Sequence, residues 1–580
     1  MGQIFITLII SIIILALAVI GVLALYFFFW RPLLELTKTA RLARTTKNWK
    51  MPNFSRFIFL GPLASEIYKM ALGLKSARQS AREEARLKLE KSDTPWTEER
   101  LKEFMKSYLK DRNIYMVSST EPYVHEKKGN KISYRVPASG MVTAVESLMR
   151  AAGGVWLAHG RGNADKFTAD SNGRIQVPPD DPKYTLRRVW LTEKNEKGFY
   201  IGFSNEALWP LFHMVHVRPI FRKEDWQEYR TVNSKFLQIL LDEIKNVKNP
   251  LIFIQDFHFT VLPKMIKKMR PDAQIAVFWH IPWPSAETFS ICPWRKEILE
   301  GLLGADLLGF HTQLYANNFI HTVSKEVESL IDTEQDSITK NNHTTYVKAF
   351  PISVPFSGEE EKSLDENQAR KFLDSLNIKT KYFGIGVERM DYIKGIMERF
   401  RGIEFFFESY PNFLNQFTFL QIAPPSREAA QRYRQIAEDV TNEAERINQK
   451  FRNAGWQPIV LLKEHHSHEE IYPLYRLADI CMVTSLHDGM NLVSKEFVAA
   501  RNDEAGVLIL SQFAGASREL KDAIIINPYN AEETARAMHI ALTMPKPEQR
   551  MRMKKLRDAV KNYNVYKWSA DLIKSIISID

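Results

Sequence analysis

From Asn113 onward the chain repeats one texture: a short apolar run, a turn, then an amphipathic helical pattern. The apolar runs fall at 114–118, 251–254, 275–278 and 306–310, and again at 383–387, 417–422, 459–462, 480–484, 506–510 and 523–526. Strands that are apolar along their whole length have both faces covered, the condition of a parallel sheet. Alternation with helices then leaves doubly wound α/β domains as the expected architecture. The 580-residue length accommodates two such domains. The polar stretch 359–367 is the expected boundary, giving domains at 113–365 and 366–580. The helical pattern from Pro545 onward is expected to pack back onto the first domain.

Ahead of Asn113 the texture is different. Residues 1–30 carry no charged side chain, and 4–30 form an almost unbroken apolar run, long enough to span a bilayer as a helix. Tyr26 and Trp30 sit at one end of it, where amphipathic rings favour the interface. A cleaved signal peptide would have a basic segment before a shorter apolar run. A retained single-pass anchor is therefore expected. Nothing basic precedes the run, whereas Arg31, Lys38, Arg41, Arg44, Lys47 and Lys50 follow it. Positive charge stays inside, which places the rest of the chain on the cytoplasmic side of the cell (inner) membrane. Residues 31–112 read as a membrane-proximal helical linker. Its start, Arg31-Pro32-Leu33-Leu34-Glu35-Leu36, resembles a HAMP-type signalling linker, and 76–112 reads as solvent-facing helix.

The net charge of +11 comes with neither an aromatic-basic RNA-binding pattern nor zinc-finger spacing, so no nucleic-acid partner is expected. Anionic lipid headgroups account for the basic group at 31–50. Cys292 and Cys481 stand far apart in apolar surroundings, as in a reducing compartment without structural disulfides. No Cys/His cluster has metal-ligand spacing, and neither a metal nor another cofactor is expected.

The segment richest in chemistry is Asp488-Gly489-Met490-Asn491-Leu492-Val493-Ser494-Lys495-Glu496. It follows an apolar run and leads into a helical pattern, and so reads as strand, Gly-containing turn and helix N-terminus. Free backbone N–H groups at such a turn suit a diphosphate. An acid at the turn can orient a sugar hydroxyl, and an acid further along can hold a ribose. Together these describe a nucleotide-sugar site; the plain alternative is an ordinary strand-to-helix turn. Arg389 and Lys394 stand five positions apart in a turn after another strand. A departing diphosphate gathers negative charge, which fixed cations can neutralise, an arginine as a fork and a lysine as a point charge.

Over about residues 113–575 the chain resembles the trehalose-6-phosphate synthases, glycosyltransferase family 20. The resemblance rests on the Asp488 segment together with His280-Ile281-Pro282-Trp283-Pro284, Gly304-Ala305-Asp306-Leu307-Leu308-Gly309-Phe310-His311-Thr312 and Gly386-Val387-Glu388-Arg389-Met390-Asp391-Tyr392-Ile393-Lys394-Gly395. It includes Gln421-Ile422-Ala423-Pro424-Pro425-Ser426-Arg427 and Ser511-Gln512-Phe513-Ala514-Gly515-Ala516, all in the family's order. It implies a GT-B fold, with catalysis in the cleft between two Rossmann-like domains. The implied reaction moves glucose from UDP-glucose or another nucleotide-glucose to glucose 6-phosphate, with retention and without a metal. By the same resemblance Arg389 and Lys394 grip the donor phosphates, and Asp488 contacts the donor glucose. The backbone of Met490, Asn491 and Leu492 faces phosphate and sugar, and Glu496 holds the ribose. His280 meets the reacting centre and Asp256 faces the acceptor. Gly140 (in the family's glycine-rich loop), Tyr200, Trp209 and Arg427 line the acceptor pocket, although Tyr200 and Trp209 taken alone read equally as core aromatics.

One departure stands out. Where the family begins with Val-Ser-Asn-Arg, this chain has Val117-Ser118-Ser119-Thr120, so Thr120 occupies the place of an arginine that contacts the acceptor phosphate. His159 also stands where the family often has tryptophan, and Ser139 replaces a loop glycine. Either Arg427 with a neighbour such as Arg135 or Lys127 holds the phosphate, or the acceptor is another molecule such as glycerol 3-phosphate. A membrane-tethered sugar-phosphate sensor without turnover is the reading from a different class. A homo-oligomer stays open.

Overall fold

A computed structural model of the chain describes residues 2–35, 37–38, 66, 69–70, 95–110, 112–137, 140–356, 366–427, 430–451, 453 and 455–579. Its contacts divide into two units, Met1–Asp93 and Thr94–Asp580. In the first unit the helix Gly2–Leu25 runs on through Tyr26–Trp30. The stretch Gly2–Glu35 is long and apolar enough to cross a membrane, with a mean hydropathy of 3.3 in its most apolar part and none of that part buried. Arg41, Arg44, Lys47 and Lys50 lie outside the described residues, as do most of the expected linker and the 359–365 part of the expected boundary.

The second unit is built on two sheets. The larger has ten strands, in the order Leu330–Asp332, Ser337–Lys340, His343–Ala349, Leu307–Phe310, Gln274–Trp279, Leu251–Gln255, Ile114–Thr120, Val155–His159, Tyr184–Val189 and Arg174–Val177. Its seven central strands are parallel, while both edges are antiparallel. The smaller sheet has six parallel strands, in the order Ile459–Leu462, Phe417–Ile422, Tyr382–Val387, Ile480–Val483, Val507–Ser511 and Ile524–Ile526. All ten apolar runs of the sequence are strands in these sheets. Each sheet is covered on both faces, as the apolar runs require. One apolar core fills the outer face of the larger sheet and a second fills one face of the smaller, while a third reaches across from one sheet to the other.

In both sheets the chain reverses its direction of strand addition next to the first strand. In the larger sheet Ile114–Thr120 pairs with Val155–His159 on one side and Leu251–Gln255 on the other. In the smaller sheet Tyr382–Val387 lies between Phe417–Ile422 and Ile480–Val483. Crevices at the carboxyl ends of strands flanking such a reversal are where ligands bind in open α/β sheets.

The expectation of solvent-facing helix over 76–112 fails for Glu98–Leu109. Leu101, Phe104, Met105 and Leu109 are buried, against Gly140–Ala152 and the last helix, Val565–Ile577. The spacing is an amphipathic stripe, and the dense charge on its outer face concealed it in the sequence. The C-terminal helical pattern divides in two. Lys546–Asn562 packs on Leu492–Ala500, and Val565–Ile577 crosses to the helices and strands of the larger sheet. Asn564 starts that last helix, and its side chain also donates to the Trp96 carbonyl at 2.8 Å.

Candidate active site

The residues expected on the donor side are set by two loops that follow neighbouring strands. After Tyr382–Val387 the chain passes Arg389 and makes a 3-10 turn at Tyr392–Lys394. The Asp391 carboxylate caps that turn, accepting from the Ile393 N–H at 3.3 Å. Gly395 then takes φ 64°, and a Cβ there would stand 2.2 Å from the Thr484 carbonyl oxygen, so only glycine lets the loop fold onto the next strand. The fold brings the Lys394 Nζ to 2.6 Å from the Asp488 carboxylate. Ser485 and Asn491 donate to the same oxygen at 3.2 and 3.1 Å. Burial pushes the Asp488 carboxyl up, but Lys394 outweighs it and holds the group at about 2, an anion at every working pH. Under the loop, buried Arg399 donates to Glu388, to Gln421 at 2.6 Å and to Thr484 at 3.0 Å, tying three strand ends together. Arg389 is half-buried and makes no hydrogen bond or ion pair among the described residues.

Asn491 begins the helix Leu492–Ala500, at φ 76° and with its side chain accepting from the Ser494 N–H at 3.1 Å. Met490 is buried, and its carbonyl accepts from Ala516 at 2.9 Å. A Cβ on Gly489 would stand 2.2 Å from the His280 carbonyl oxygen. The two domains therefore meet backbone to backbone at this turn. Leu492 and Glu496 line a cleft of about 1040 Å³ together with Gly140, Phe372, His466 and His468. Gly140 opens the helix Gly140–Ala152 and lies against the Leu492 side chain. Burial raises the Glu496 carboxyl, and the Tyr475 hydroxyl donates to it at 3.4 Å.

Across the cleft, Asp256 and His280 follow adjacent strands of the larger sheet. Asp256 sits at φ 71°, ψ 178°, a region that costs a non-glycine residue of order 1–3 kcal/mol. Its carboxylate accepts from the His280 N–H at 3.2 Å. Burial pushes the Asp256 carboxyl up to about 7, against the pull of two backbone N–H groups and Arg427. His280 Nε2 lies 2.8 Å from the Gln255 side-chain oxygen, and burial holds the ring neutral.

Beyond Asp256 lies a basic, aromatic pocket. Tyr200 comes from the π-helix Lys197–Leu208, and Trp209 begins the helix that continues it. The Arg427 guanidinium lies 4.0 Å over the Trp209 ring and is held by Asp391 at 2.9 Å and by the Tyr433 hydroxyl. The Arg161 guanidinium lies 4.1 Å over the Tyr200 ring. Burial would raise the Tyr200 phenol, but Arg161, Arg427 and Arg389 pull it down to about 7. That is the signature of a site with excess positive charge. The core reading of the two rings holds, since Trp209 is in the core with Tyr200 packed against it, and each ring also carries a cation.

Of the thirteen residues singled out in the sequence, Gly140, Leu492 and Glu496 line the cleft; Lys394, Asp488 and Asn491 are joined by hydrogen bonds, Asp256 lies against His280, and Arg427 stacks on Trp209. Arg135 and Lys127, the neighbours expected to assist Arg427, are not part of these contacts. Both lie on the hairpin Val124–Lys128 and Lys131–Arg135, where exposed Arg135 pairs with Glu126 at 2.6 Å and Lys127 lies over Phe167. Three contributors were missed in the sequence. Arg161 stands two residues after His159 in Gly160-Arg161-Gly162, directly after a strand, and that placement was a usable signal. Gln255 precedes Asp256. The hydroxyl of Tyr315, from the larger sheet's side, donates to the Asp488 carbonyl at 3.3 Å. Among the described residues no group of three or more His, Cys, Asp or Glu could hold a metal ion.

Comparison with known proteins identifies the family and the fold. The model of glycosyltransferase family 20 matches residues 112–578. The alpha,alpha-trehalose-phosphate synthase [UDP-forming] of Schizosaccharomyces pombe is 33% identical over 482 residues, which cover 80% of this chain and 90% of that protein. A solved structure described as trehalose-6-phosphate from E. coli bound with UDP-2-fluoro glucose is 31% identical, with TM-score 0.71, covering 80% of this chain and 99% of its own. An alpha,alpha-trehalose-phosphate synthase (UDP-forming) from Burkholderia xenovorans in complex with glucose-6-phosphate is 28% identical, with TM-score 0.70 and coverage of 80% and 99%.

Proposed function

The chain belongs to glycosyltransferase family 20 and has its GT-B fold, and from that we propose that it transfers glucose from UDP-glucose to glucose 6-phosphate, forming α,α-trehalose 6-phosphate with retention. The observation that supports this reading is that two clusters of polar residues meet where Gly489 lies against the His280 carbonyl. On one side stand Lys394, Arg389 and the Asn491 helix start, and on the other a carboxylate, Asp256, beside a cationic aromatic pocket.

In the proposed reaction UDP lies along the cleft, its ribose at Glu496 and its diphosphate at Arg389, Lys394 and the backbone of Met490, Asn491 and Leu492. Asp488, anionic and fixed by Lys394, accepts from hydroxyls of the donor glucose. The carbonyl of His280 faces the same turn. The sugar–phosphate bond of the donor breaks, and the acceptor oxygen bonds to the anomeric carbon on the face the leaving group departs from. The acceptor's proton passes to the departing phosphate oxygen. Charge gathers on that phosphate in the transition state, where Arg389 and Lys394 stabilise it without reorganising. Asp256 orients the acceptor hydroxyls, while Tyr200, Trp209 and Arg427 hold its phosphate end.

We also propose that residues 1–30 anchor the enzyme in the cell membrane with its catalytic unit in the cytoplasm; the span Gly2–Glu35 supports this. Residues 113–365 then form the acceptor domain and 366–580 the nucleotide-sugar domain. The test of the activity is a crossed panel of UDP- and GDP-glucose with glucose 6-phosphate, glycerol 3-phosphate and glucose, read by mass spectrometry. The expected product joins one glucose to glucose 6-phosphate and releases UDP. Transfer to glycerol 3-phosphate alone would replace the acceptor, and no turnover with any pair would favour a sensor.

A further inference from the structure

Thr120 leaves the acceptor pocket without the cation expected at the end of its strand, yet the pocket is not short of charge. Thr120 pairs in register with His159 on the neighbouring strand, and Arg161 leaves that strand two residues later. Its guanidinium reaches back over the sheet end, with Nη2 3.5 Å from the hydroxyl of Ser119, the residue before Thr120. The head group therefore lies at the strand end that carries Ser119 and Thr120, and stacks on Tyr200 at 4.1 Å.

The loop that carries it is built rather than loose. The Arg161 N–H donates to the Glu121 carboxylate at 2.9 Å. Glu121 is gripped at 2.9 Å by Arg188, which is fully buried and also binds Asp165 at 2.8 Å. Asp165 in turn accepts from the Gly162 N–H at 2.6 Å. Two carboxylates and a buried arginine thus fix the backbone on both sides of one side chain. That side chain is left partly unpaired. Arg161 Nε is buried without a hydrogen-bond partner, and its nearest anion, Glu196, lies 3.6 Å away and is 42% exposed. Arg427, the second cation of the pocket, likewise has a buried Nε without a hydrogen-bond partner. Two guanidinium groups, each over an aromatic ring and each with an Nε lacking a hydrogen-bond partner, offer the fork-shaped donors that suit a phosphomonoester.

We propose that Arg161 is an acceptor-phosphate-binding residue of this chain, gripping the phosphate opposite Arg427 in the place that Thr120 leaves uncharged. The assignment rests on the proposed transfer to a sugar phosphate, and it makes the phosphate the feature by which the acceptor is chosen. The field that draws down the Tyr200 phenol is consistent with a site awaiting an anion. Glu196 is the internal anion that a bound phosphate would displace.

The test is calorimetric binding of glucose 6-phosphate, and separately of inorganic phosphate, to the UDP-loaded protein. The proteins are wild type, Arg161→Ala, Arg161→Lys and the double variant Arg161→Ala with Thr120→Arg. A charge-assisted hydrogen bond lost from such a site corresponds to roughly 10- to 100-fold in affinity. Arg161→Ala should weaken both ligands by that factor, Arg161→Lys by less, and Thr120→Arg should restore part of the loss. UDP affinity should stay unchanged in all four and reports that each protein is folded. Wild-type affinity for both ligands in Arg161→Ala overturns the assignment, as does a wild type that binds neither. A wild type that binds glucose 6-phosphate through Arg161 but transfers no glucose to it sustains the assignment and removes the proposed activity instead.

Discussion

Lys394 and Asp488 are chemically interdependent: the lysine keeps the carboxylate ionised, and the carboxylate keeps the lysine aimed into the cleft. Lys394→Ala is expected to lower kcat by roughly 10²–10³, the usual loss for one preorganised charge contact, and Arg389→Ala by a similar factor. Steady-state rates near wild type in either variant would remove its assigned role. Asp256 gives a second residue-scale prediction. Its carboxyl is raised to about 7, so it binds a proton in the folded chain over a range where an unfolded Asp would not. The ionised form is the better acceptor for a substrate hydroxyl. Hence kcat/KM should climb as pH rises through about 7, and Asp256→Asn should remove that limb while leaving the limb due to substrate phosphate. The same shift has a sign for stability: ionising a carboxyl with a raised folded pKa costs stability. The Asp256 contribution therefore falls from about pH 4 to about pH 7, and Asp256→Asn should flatten it. Most site residues were legible because each stands in an ungapped motif directly after an apolar run. Arg161 stands directly after a strand, which is the same kind of signal, but its place beside Ser119 depends on a strand pairing, Thr120 with His159, that sequence does not display.

At the scale of elements, all ten apolar runs read from the sequence are strands, but Val155–His159, apolar from Val155 to Ala158, was not among them. The sequence concealed strands whose burial depends on partners. Tyr184–Val189 carries Arg187 and Arg188 in its middle, and both are buried because Glu243, Glu121 and Asp165 neutralise them. Charged residues read as surface unless their partners are known, and these partners lie 20 or more positions away. The two edge strands, Arg174–Val177 and Leu330–Asp332, run antiparallel to their neighbours and are short, as edge strands commonly are. The helix Glu98–Leu109 was read as helix, but its charged outer face concealed its buried one. It buries Leu101, Phe104, Met105 and Leu109, a contribution on the order of 5 kcal/mol or more by apolar area. A chain beginning at Thr94 should therefore be soluble and active. One beginning at Asn113 should unfold at a clearly lower temperature in a thermal melt. Equal melting temperatures would mean that this helix is an accessory to the catalytic unit and not part of it.

For the whole molecule, the account joins a membrane anchor to a soluble two-domain catalyst. The anchor predicts that protease added to intact cells leaves the catalytic unit whole, and that permeabilising the inner membrane exposes it. Cleavage from outside would reverse the orientation. The architecture is that of two sheets, each with a reversal of strand order beside its first strand, and the last helix returns the chain to the larger sheet. A cleft between two such sheets admits a donor from one wall and an acceptor from the other, and the central claim is that the two meet with retention. The most direct test is proton NMR of the product made from UDP-glucose and glucose 6-phosphate by the chain beginning at Thr94. The account predicts a disaccharide phosphate linked between both anomeric carbons, with small axial–equatorial couplings at both anomeric protons. A large diaxial coupling on the transferred glucose, or linkage to a non-anomeric oxygen, would contradict it.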